Sequence, residues 1–189
     1  MYDLVGQATH KLLRPVLTGA IVGGAVLGPV VFATSASAAT VTATCAETSS
    51  ATYNSALDPN STDTPQDVDS NGTGTVLCVD PTGNPLGQAK VAYDVDIPNA
   101  VCDGTASDNG GTETITWPDN TQTKISFQPT TYTAVKGQVT YTSTGTVTSD
   151  STKYAGAGVT ETGTITASGC GTASGASSDS DLAVTTFAG

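Results

Sequence analysis

The chain has 189 residues, a formal net charge of −11 and a single His, His10. Residues 40–189 contain four Lys, sixteen acidic residues and no Arg, His or Met, so their net charge is −12. Without His, catalysis of the Ser–His–Asp or Cys–His type and the common catalytic zinc sites are excluded. The lack of clustered basic residues argues against nucleic acid or an anionic membrane as a partner.

Residues 1–39 have the pattern of a secretory signal peptide. Lys11 and Arg14 precede an apolar segment at residues 15–32, and the Ala-Ser-Ala of residues 36–38 fits a small-residue cleavage site. An uncleaved anchor is the alternative, because the apolar segment is near the spanning minimum of roughly 18 residues. No second hydrophobic segment follows. We therefore expect cleavage and a secreted, extracellular protein without membrane contact.

Four Cys follow this segment: Cys45, Cys78, Cys102 and Cys170. An even number of Cys behind a signal peptide indicates two disulfides formed in an oxidising compartment. Three connectivities are open, and we favour Cys45–Cys78 and Cys102–Cys170. The first would join the N-terminal strand to the next strong strand, and the second would join the middle of the chain to its last quarter. A Cys-based metal or redox site has no CxxC spacing to support it.

The pattern of residues 40–189 predicts one all-β domain, an antiparallel β-sandwich of eight or nine strands. Thr and Val favour extended backbone, turn residues recur about every ten positions, and no segment has helical periodicity. Two loops are predicted, a long acidic loop at residues 57–72 and a Gly/Ser-rich loop at residues 171–181. Strands are predicted at residues 40–46, 73–79, 88–97, in both arms of a hairpin at 111–128, and at 132–141 (with Gly137 as a bulge), 145–149, 159–167 and 182–187, with a weak segment at 50–55.

The clearest β-hairpin spans residues 111–128 and contains the only Trp. Ile115 and Trp117 alternate with Thr in the first arm, and Ile125 and Phe127 alternate with polar residues in the second. We therefore predict that these four side chains face the core. The alternative is that the Trp side chain is a platform for a ligand.

The loop of this hairpin is predicted to have three residues, Pro118, Asp119 and Asn120. Such a loop would place Trp117 opposite Thr121 and keep the apolar residues of both arms on one face. It needs a residue with positive φ, which Asn tolerates better than most residues do.

Residues 40–189 contain only three Glu, which are Glu47, Glu113 and Glu161. A pair of carboxyl groups is what glycoside hydrolysis requires. Glu113 shares a strand face with Trp117, but we expect it to lie at the strand end and to reach solvent. No catalytic signature is present, so we do not predict an enzyme.

Residues 67–72, Asp-Val-Asp-Ser-Asn-Gly, match the first half of a calcium-binding loop. Asp67, Asp69 and Asn71 are therefore weak candidates for metal ligands. The match then fails, because Cys78 stands where the loop needs a bidentate Glu. The alternative is a solvated acidic loop, and no cofactor is otherwise predicted.

The Trp hairpin together with the order of the four Cys resembles a set of secreted proteins of actinobacteria. The first strand of that hairpin reads Gly-Thr-Glu-Thr-Ile-Thr-Trp at residues 111–117, followed by an Asp/Asn turn and a Thr-rich strand. The resemblance implies a β-sandwich, with an immunoglobulin-like arrangement as one form of it. It implies no activity. The order Cys102, Trp117, Cys170 suggests a disulfide between sheets beside the Trp.

The sequence therefore favours a secreted, non-catalytic β-sandwich that acts as a binding or surface/matrix module. Its expected partners are extracellular polysaccharide, cell wall or another secreted protein. One alternative is a calcium-stabilised carbohydrate-binding module with exposed Tyr side chains. Others are a His-free carboxylate glycosidase and a protease inhibitor that presents the segment near Cys78.

Overall fold

The computed structural model describes residues 39–57 and 65–189, so the predicted signal peptide lies outside the described residues except for Ala39. In the described part of the chain, no helix is long and apolar enough to cross a membrane. These residues form ten strands. They are β1 (Val41–Leu57), β2 (Gln66–Val79), β3 (Pro85–Ala100), β4 (Gly104–Ser107), β5 (Gly111–Thr116), β6 (Gln122–Phe127), β7 (Thr131–Val135), β8 (Gln138–Val147), β9 (Gly158–Ser168) and β10 (Ala176–Ala188).

All strand pairs are antiparallel and belong to one sheet, which closes on itself. Eight strands form the closed barrel in the order β8-β6-β5-β3-β2-β1-β10-β9, and β9 pairs back with β8. Strands β4 and β7 extend from the barrel through the pairing of β7 with β8. The all-β, antiparallel prediction is thus confirmed. The predicted two-sheet sandwich and its immunoglobulin-like form are not confirmed, because closure removes the free edges that separate two sheets.

The barrel interior follows from strict alternation along the strands. In β1, Ala43, Cys45, Glu47, Ser49 and Ala51 are buried, and most of the residues between them are exposed. Successive side chains of a strand point to opposite faces, so one set of residues fills the barrel and the other, mostly Thr and Ser, faces water. The interior set includes acidic residues as well as apolar ones.

Three strands, β1, β2 and β10, are longer than local sequence patterns predict. The predicted segments 40–46 and 50–55 are one strand, β1. Half of the predicted acidic loop at 57–72 is strand β2, while residues 58–64 lie outside the described part. Strand β10 likewise begins inside the predicted loop at 171–181.

The predicted strand 132–141 is instead a tight hairpin, with β7 and β8 joined at Lys136 and Gly137. Both residues have positive φ, 51° and 75°. Two consecutive residues with positive φ are typical of a type I′ turn, so Gly137 is a turn residue and not a bulge. Strand β4 was not predicted.

The Trp hairpin has the predicted loop. The backbone N–H of Trp117 donates to the carbonyl of Thr121 at 3.0 Å, and Asn120 has φ of 62°. The indole Nε1 donates to the Thr123 hydroxyl at 2.9 Å, and the side chain of Trp117 is 2% exposed. Trp117 is therefore a core residue.

The apolar core consists of two separate clusters. The first contains three of the predicted core residues, Ile115, Trp117 and Ile125, with Phe127 packed against it. It also includes the Cys45–Cys78 disulfide. The second cluster is smaller and includes Leu57, Val68, Ala100, Cys102 and Ala176.

The two disulfides have the pairing favoured from the sequence, Cys45–Cys78 and Cys102–Cys170. Their positions correct one expectation. The disulfide that shares a cluster with Trp117 is Cys45–Cys78, whereas Cys102 and Cys170 belong to the second cluster. The immunoglobulin-like order of Cys102, Trp117 and Cys170 therefore does not reflect a contact.

Candidate functional site

A belt of acidic side chains crosses the barrel interior. On β1, Glu47 follows the apolar residues Ala43 and Cys45 of the first cluster, and Leu57 of the second cluster ends the strand. We call the five buried acidic residues the acidic cluster: Glu47 on β1, Glu113 on β5, Glu161 on β9, and Asp179 and Asp181 on β10.

The three glutamates of this cluster converge, and we call them the glutamate triad. Glu47, Glu113 and Glu161 each offer a carboxylate oxygen, and these three oxygens lie within 4.8 Å of one another. Their side chains are 5%, 3% and 8% exposed. The expectation that Glu113 reaches solvent is therefore wrong, because closure of the barrel places the Glu113 face of β5 in the interior.

The side chain of Tyr141 links two residues of the acidic cluster. The Tyr141 hydroxyl lies 2.8 Å from Oε1 of Glu161 and 2.6 Å from Oδ2 of Asp181. The Thr185 hydroxyl donates to the other Glu161 oxygen, Oε2, at 2.9 Å. Both oxygens of Glu161 thus have a partner, which fixes this side chain between β8 and β10.

Other oxygens of the cluster have no such partner. Glu47 Oε2, Glu113 Oε1 and Asp181 Oδ1 are buried and have no hydrogen-bond partner among residues 39–57 and 65–189, and the same holds for Asp179 Oδ1. A buried carboxylate oxygen without a partner costs free energy, because water no longer solvates it. These oxygens are therefore free to accept a hydrogen bond or to bind a cation.

Burial raises the pKa values of Glu47, Glu113, Asp179 and Asp181, and repulsion by neighbouring carboxylates adds to it for Glu47, Glu113 and Asp181. Burial, followed by the charge of Glu161, raises the pKa of Glu47 to about 8. The same two causes raise the pKa of Glu113 well above its ordinary value. Burial raises the pKa of Asp181 to about 6, and it also raises the pKa of Asp179. The environment of these four groups therefore favours their protonated form unless a positive charge lies nearby.

Within residues 39–57 and 65–189, no basic side chain lines the cavity that holds the acidic cluster. Of the four Lys in residues 40–189, Lys90 and Lys136 are exposed. Lys124 forms an ion pair with Asp150 at 2.6 Å, and Lys153 pairs with Asp119 at 2.9 Å, both at the surface. The charge of the acidic cluster can therefore be balanced only by protons or by a cation from solution.

The cluster lines a cavity of about 130 Å³. A water molecule needs roughly 10–15 Å³ of such space, so there is room for several waters or for one small ligand with some water. Half-buried tyrosines also line this cavity, whereas the carbohydrate-binding alternative relies on exposed Tyr side chains. They are Tyr53, Tyr93, Tyr132 and Tyr141.

Glycines opposite two of these tyrosines make room for their rings. Gly163 on β9 pairs with Tyr141 on β8, and Gly72 on β2 pairs with Tyr93 on β3. A Cβ at Gly163 would lie 2.7 Å from the Tyr141 hydroxyl, and a Cβ at Gly72 would overlap the Tyr93 ring. Aromatic residues that cover a glycine across a strand pair are a known way to position rings in a sheet.

The metal candidates from the sequence lie elsewhere and are not brought together. Asp67, Asp69 and Asn71 lie on the outward face of β2 in extended backbone, not in a loop. Side chains two positions apart in a strand are about 6.5–7 Å apart. Asp69 Oδ2 accepts a hydrogen bond from Asn54 at 2.7 Å, and Asp67 Oδ1 accepts one from the Asn99 backbone at 3.0 Å.

Sequence reasoning named the three glutamates but did not predict that they meet. A signal was present in the alternation itself. Glu47 is two residues from Cys45, Glu113 is two residues from Ile115, and each acid therefore occupies a core-facing position. Asp179 and Asp181 were missed because their segment was assigned to a loop.

Comparisons with family models, with curated proteins and with solved structures found no match for this chain.

Proposed function

We propose that this chain is a secreted, non-catalytic binding protein that holds a small cation inside its barrel. The observation that carries this proposal is the convergence of five buried acidic side chains on one cavity, which no basic side chain of the described residues lines. An unpaired buried carboxylate costs several kcal/mol, so such a cluster is stable only when protonated or neutralised. A bound cation would neutralise it at neutral pH.

The rest of the molecule supports a binding role more than a catalytic one. The cavity is small, and the glutamate triad is almost fully buried. A barrel closed by backbone pairing is a rigid frame for a site, because side chains on strands are held more precisely than those on loops. The two disulfides fit an oxidising compartment, and secretion is part of this proposal.

A thermal-shift screen tests the proposal. The oxidised protein is melted at pH 7.5 with calcium chloride, magnesium chloride, putrescine or tetramethylammonium, and with neutral monosaccharides for comparison. A ligand that binds only the folded state raises the melting temperature with concentration. We expect at least one cation to raise it in the wild type and in Asp94→Asn, an exposed control on β3, but not in Glu113→Gln. Absence of a shift with every cation would contradict the proposal.

A carboxylate glycosidase is the second candidate, because the oxygens of the triad are about as close as the carboxyl pair of retaining enzymes, roughly 5–5.5 Å. The raised pKa of Glu113 would suit a general acid. Release of a chromophore from aryl glycosides, lost in both Glu113→Gln and Glu161→Gln, would establish this activity and displace the binding proposal. The near-complete burial of the three glutamates favours binding, because a glycosidic bond must reach both carboxyl groups.

A further inference from the structure

We infer that the glutamate triad binds a divalent, oxygen-preferring cation of about the size of Ca²⁺. This inference rests on the proposed function and specifies its ligand. It stands on the convergence of three carboxylate oxygens and, independently, on unpartnered oxygens that face the cavity. Glu113 Oε1 is the best example, because its side chain is 3% exposed and this oxygen has no partner among the described residues.

The separations within the triad favour a calcium-sized ion. Ca²⁺ binds oxygen at roughly 2.3–2.6 Å, so two of its ligands are at most about 5 Å apart. The triad oxygens lie within 4.8 Å of one another, so small side-chain rotations would bring all three to one such ion. Mg²⁺ binds oxygen at roughly 2.0–2.1 Å, so two of its ligands are at most about 4.2 Å apart. It also demands near-octahedral geometry.

The surroundings supply what a hard cation needs beyond three ligands. Ca²⁺ takes six to eight oxygens, some of them from water, and the cavity of about 130 Å³ has room for several waters. Tyr141 and Thr185 hold both oxygens of Glu161 in place. Outer groups that orient a ligating carboxylate in this way strengthen metal sites.

An organic cation is less consistent with this geometry. A quaternary ammonium or an amine is usually held by aromatic faces as well as carboxylates. Here Tyr141 presents its hydroxyl to Glu161 and Asp181, so its polar edge is directed at the acids. The groups that face the glutamate triad are therefore mainly oxygen atoms and not aromatic ring faces.

Terbium luminescence tests the inference, because Tb³⁺ substitutes for Ca²⁺ and is sensitised by tyrosines close to it. Tb³⁺ is titrated into the oxidised protein with long equilibration, because the three glutamates are buried. We expect a saturable one-to-one signal that Ca²⁺ displaces more effectively than Mg²⁺. Glu113→Gln and Glu161→Gln should each weaken binding roughly tenfold or more, because ligand charge sets the affinity of such sites.

The double variant Asp67→Asn/Asp69→Asn is the matched control, because it removes two exposed acids from β2 and leaves the triad intact. Its signal should equal that of the wild type. A signal lost in this variant and retained in Glu113→Gln would overturn the inference and place the ion on β2. If neither Tb³⁺ nor Ca²⁺ binds but putrescine still raises the melting temperature, the inference fails and the proposed function stands.

Discussion

Glu113 shows how one residue couples stability to binding. It lies between Ile115 of the core and the Glu47 and Glu161 carboxyl groups, so its environment disfavours a negative charge. Functional sites commonly contain such locally unfavourable groups, retained for binding and compensated by the rest of the fold. The residue is therefore expected to lower the stability of the cation-free protein at neutral and alkaline pH.

Replacement of Glu113 by Gln should make the cation-free protein more stable at pH 8. Gln has nearly the same shape and removes one ionisable group from the acidic cluster, so less repulsion remains. At pH 4.5 Glu113 is already protonated, and the difference should be small. Thermal melts in chelator at both pH values measure this effect. The exposed control Asp94→Asn should change the melting temperature little at either pH, and a Glu113→Gln variant less stable than wild type at pH 8 would contradict the account.

Strand β9 shows how an element positions the site. Glu161 and Gly163 lie on its interior face, where the glycine makes room for the Tyr141 ring that holds Glu161 and Asp181. Local patterns predicted this strand at 159–167, close to its observed bounds. They did not predict the role of Gly163, because a glycine covered by a ring from another strand has no signature in its own segment.

The substitution Gly163→Ala should destabilise the protein by about 1–3 kcal/mol, as overpacking usually does. The new Cβ would lie 2.7–2.8 Å from atoms of Tyr141, so the ring must move and its hydrogen bonds to the acids must change. Chemical denaturation measures the loss, and cation binding should weaken in parallel. Gly158→Ala is the control on the same strand, because its Cβ has no neighbour closer than 3.7 Å. Equal effects of the two substitutions would show that Tyr141 does not depend on Gly163.

Sequence patterns predicted some of the other elements well and missed others, and each outcome has a physical reason. The Trp hairpin was predicted well because its alternation and its Asn120 turn are both local. The turn at Lys136 was missed because a Lys with positive φ is rare, and its conformation depends on its neighbours. Strand β4 was missed because its four residues are too few to show alternation.

At the scale of the whole molecule, closure of the barrel was not predictable from the sequence. Closure depends on the pairing of β8 with β9 and of β1 with β10. The pairing of β1 with β10 joins residues more than a hundred positions apart, and strand periodicity is the same in a barrel and a sandwich. The acidic cluster depends on closure too, because its members come from β1, β5, β9 and β10. The all-β class and the presence of two disulfides were accessible because they depend on composition and on the number of Cys, while the pairing itself depends on which strands lie side by side.

The stability of the cation-free protein should fall as pH rises from about 5 to 8. Glu47, with a pKa of about 8, and Asp181, with a pKa of about 6, hold protons in the folded state that the unfolded chain has already lost. The folded state therefore binds more protons in this window, and its advantage is lost as pH rises. Melting temperatures across this range measure the trend. Saturating calcium should reduce the fall, and a melting temperature that rises toward pH 8 in chelator would refute the argument.

Loss of the Cys102–Cys170 disulfide should destabilise the molecule more than loss of Cys45–Cys78. The sequence separations are 68 and 33 residues, and in the chain-entropy model the longer loop contributes about 0.6 kcal/mol more, on totals of roughly 4 kcal/mol. Paired Cys→Ala variants compared by denaturant unfolding test the order. The reverse order would show that packing of Cys45 and Cys78 in the larger cluster outweighs chain entropy.

The most direct test of the central claim is a crystal structure of the oxidised protein soaked or grown with Tb³⁺, which scatters anomalously. The account predicts one strong anomalous peak inside the barrel, roughly 2.3–2.6 Å from carboxylate oxygens of Glu47, Glu113 and Glu161, the range expected for a calcium-sized ion. Absence of a peak at the triad, or a dominant peak at Asp67 and Asp69 on the outer face of β2, would contradict it.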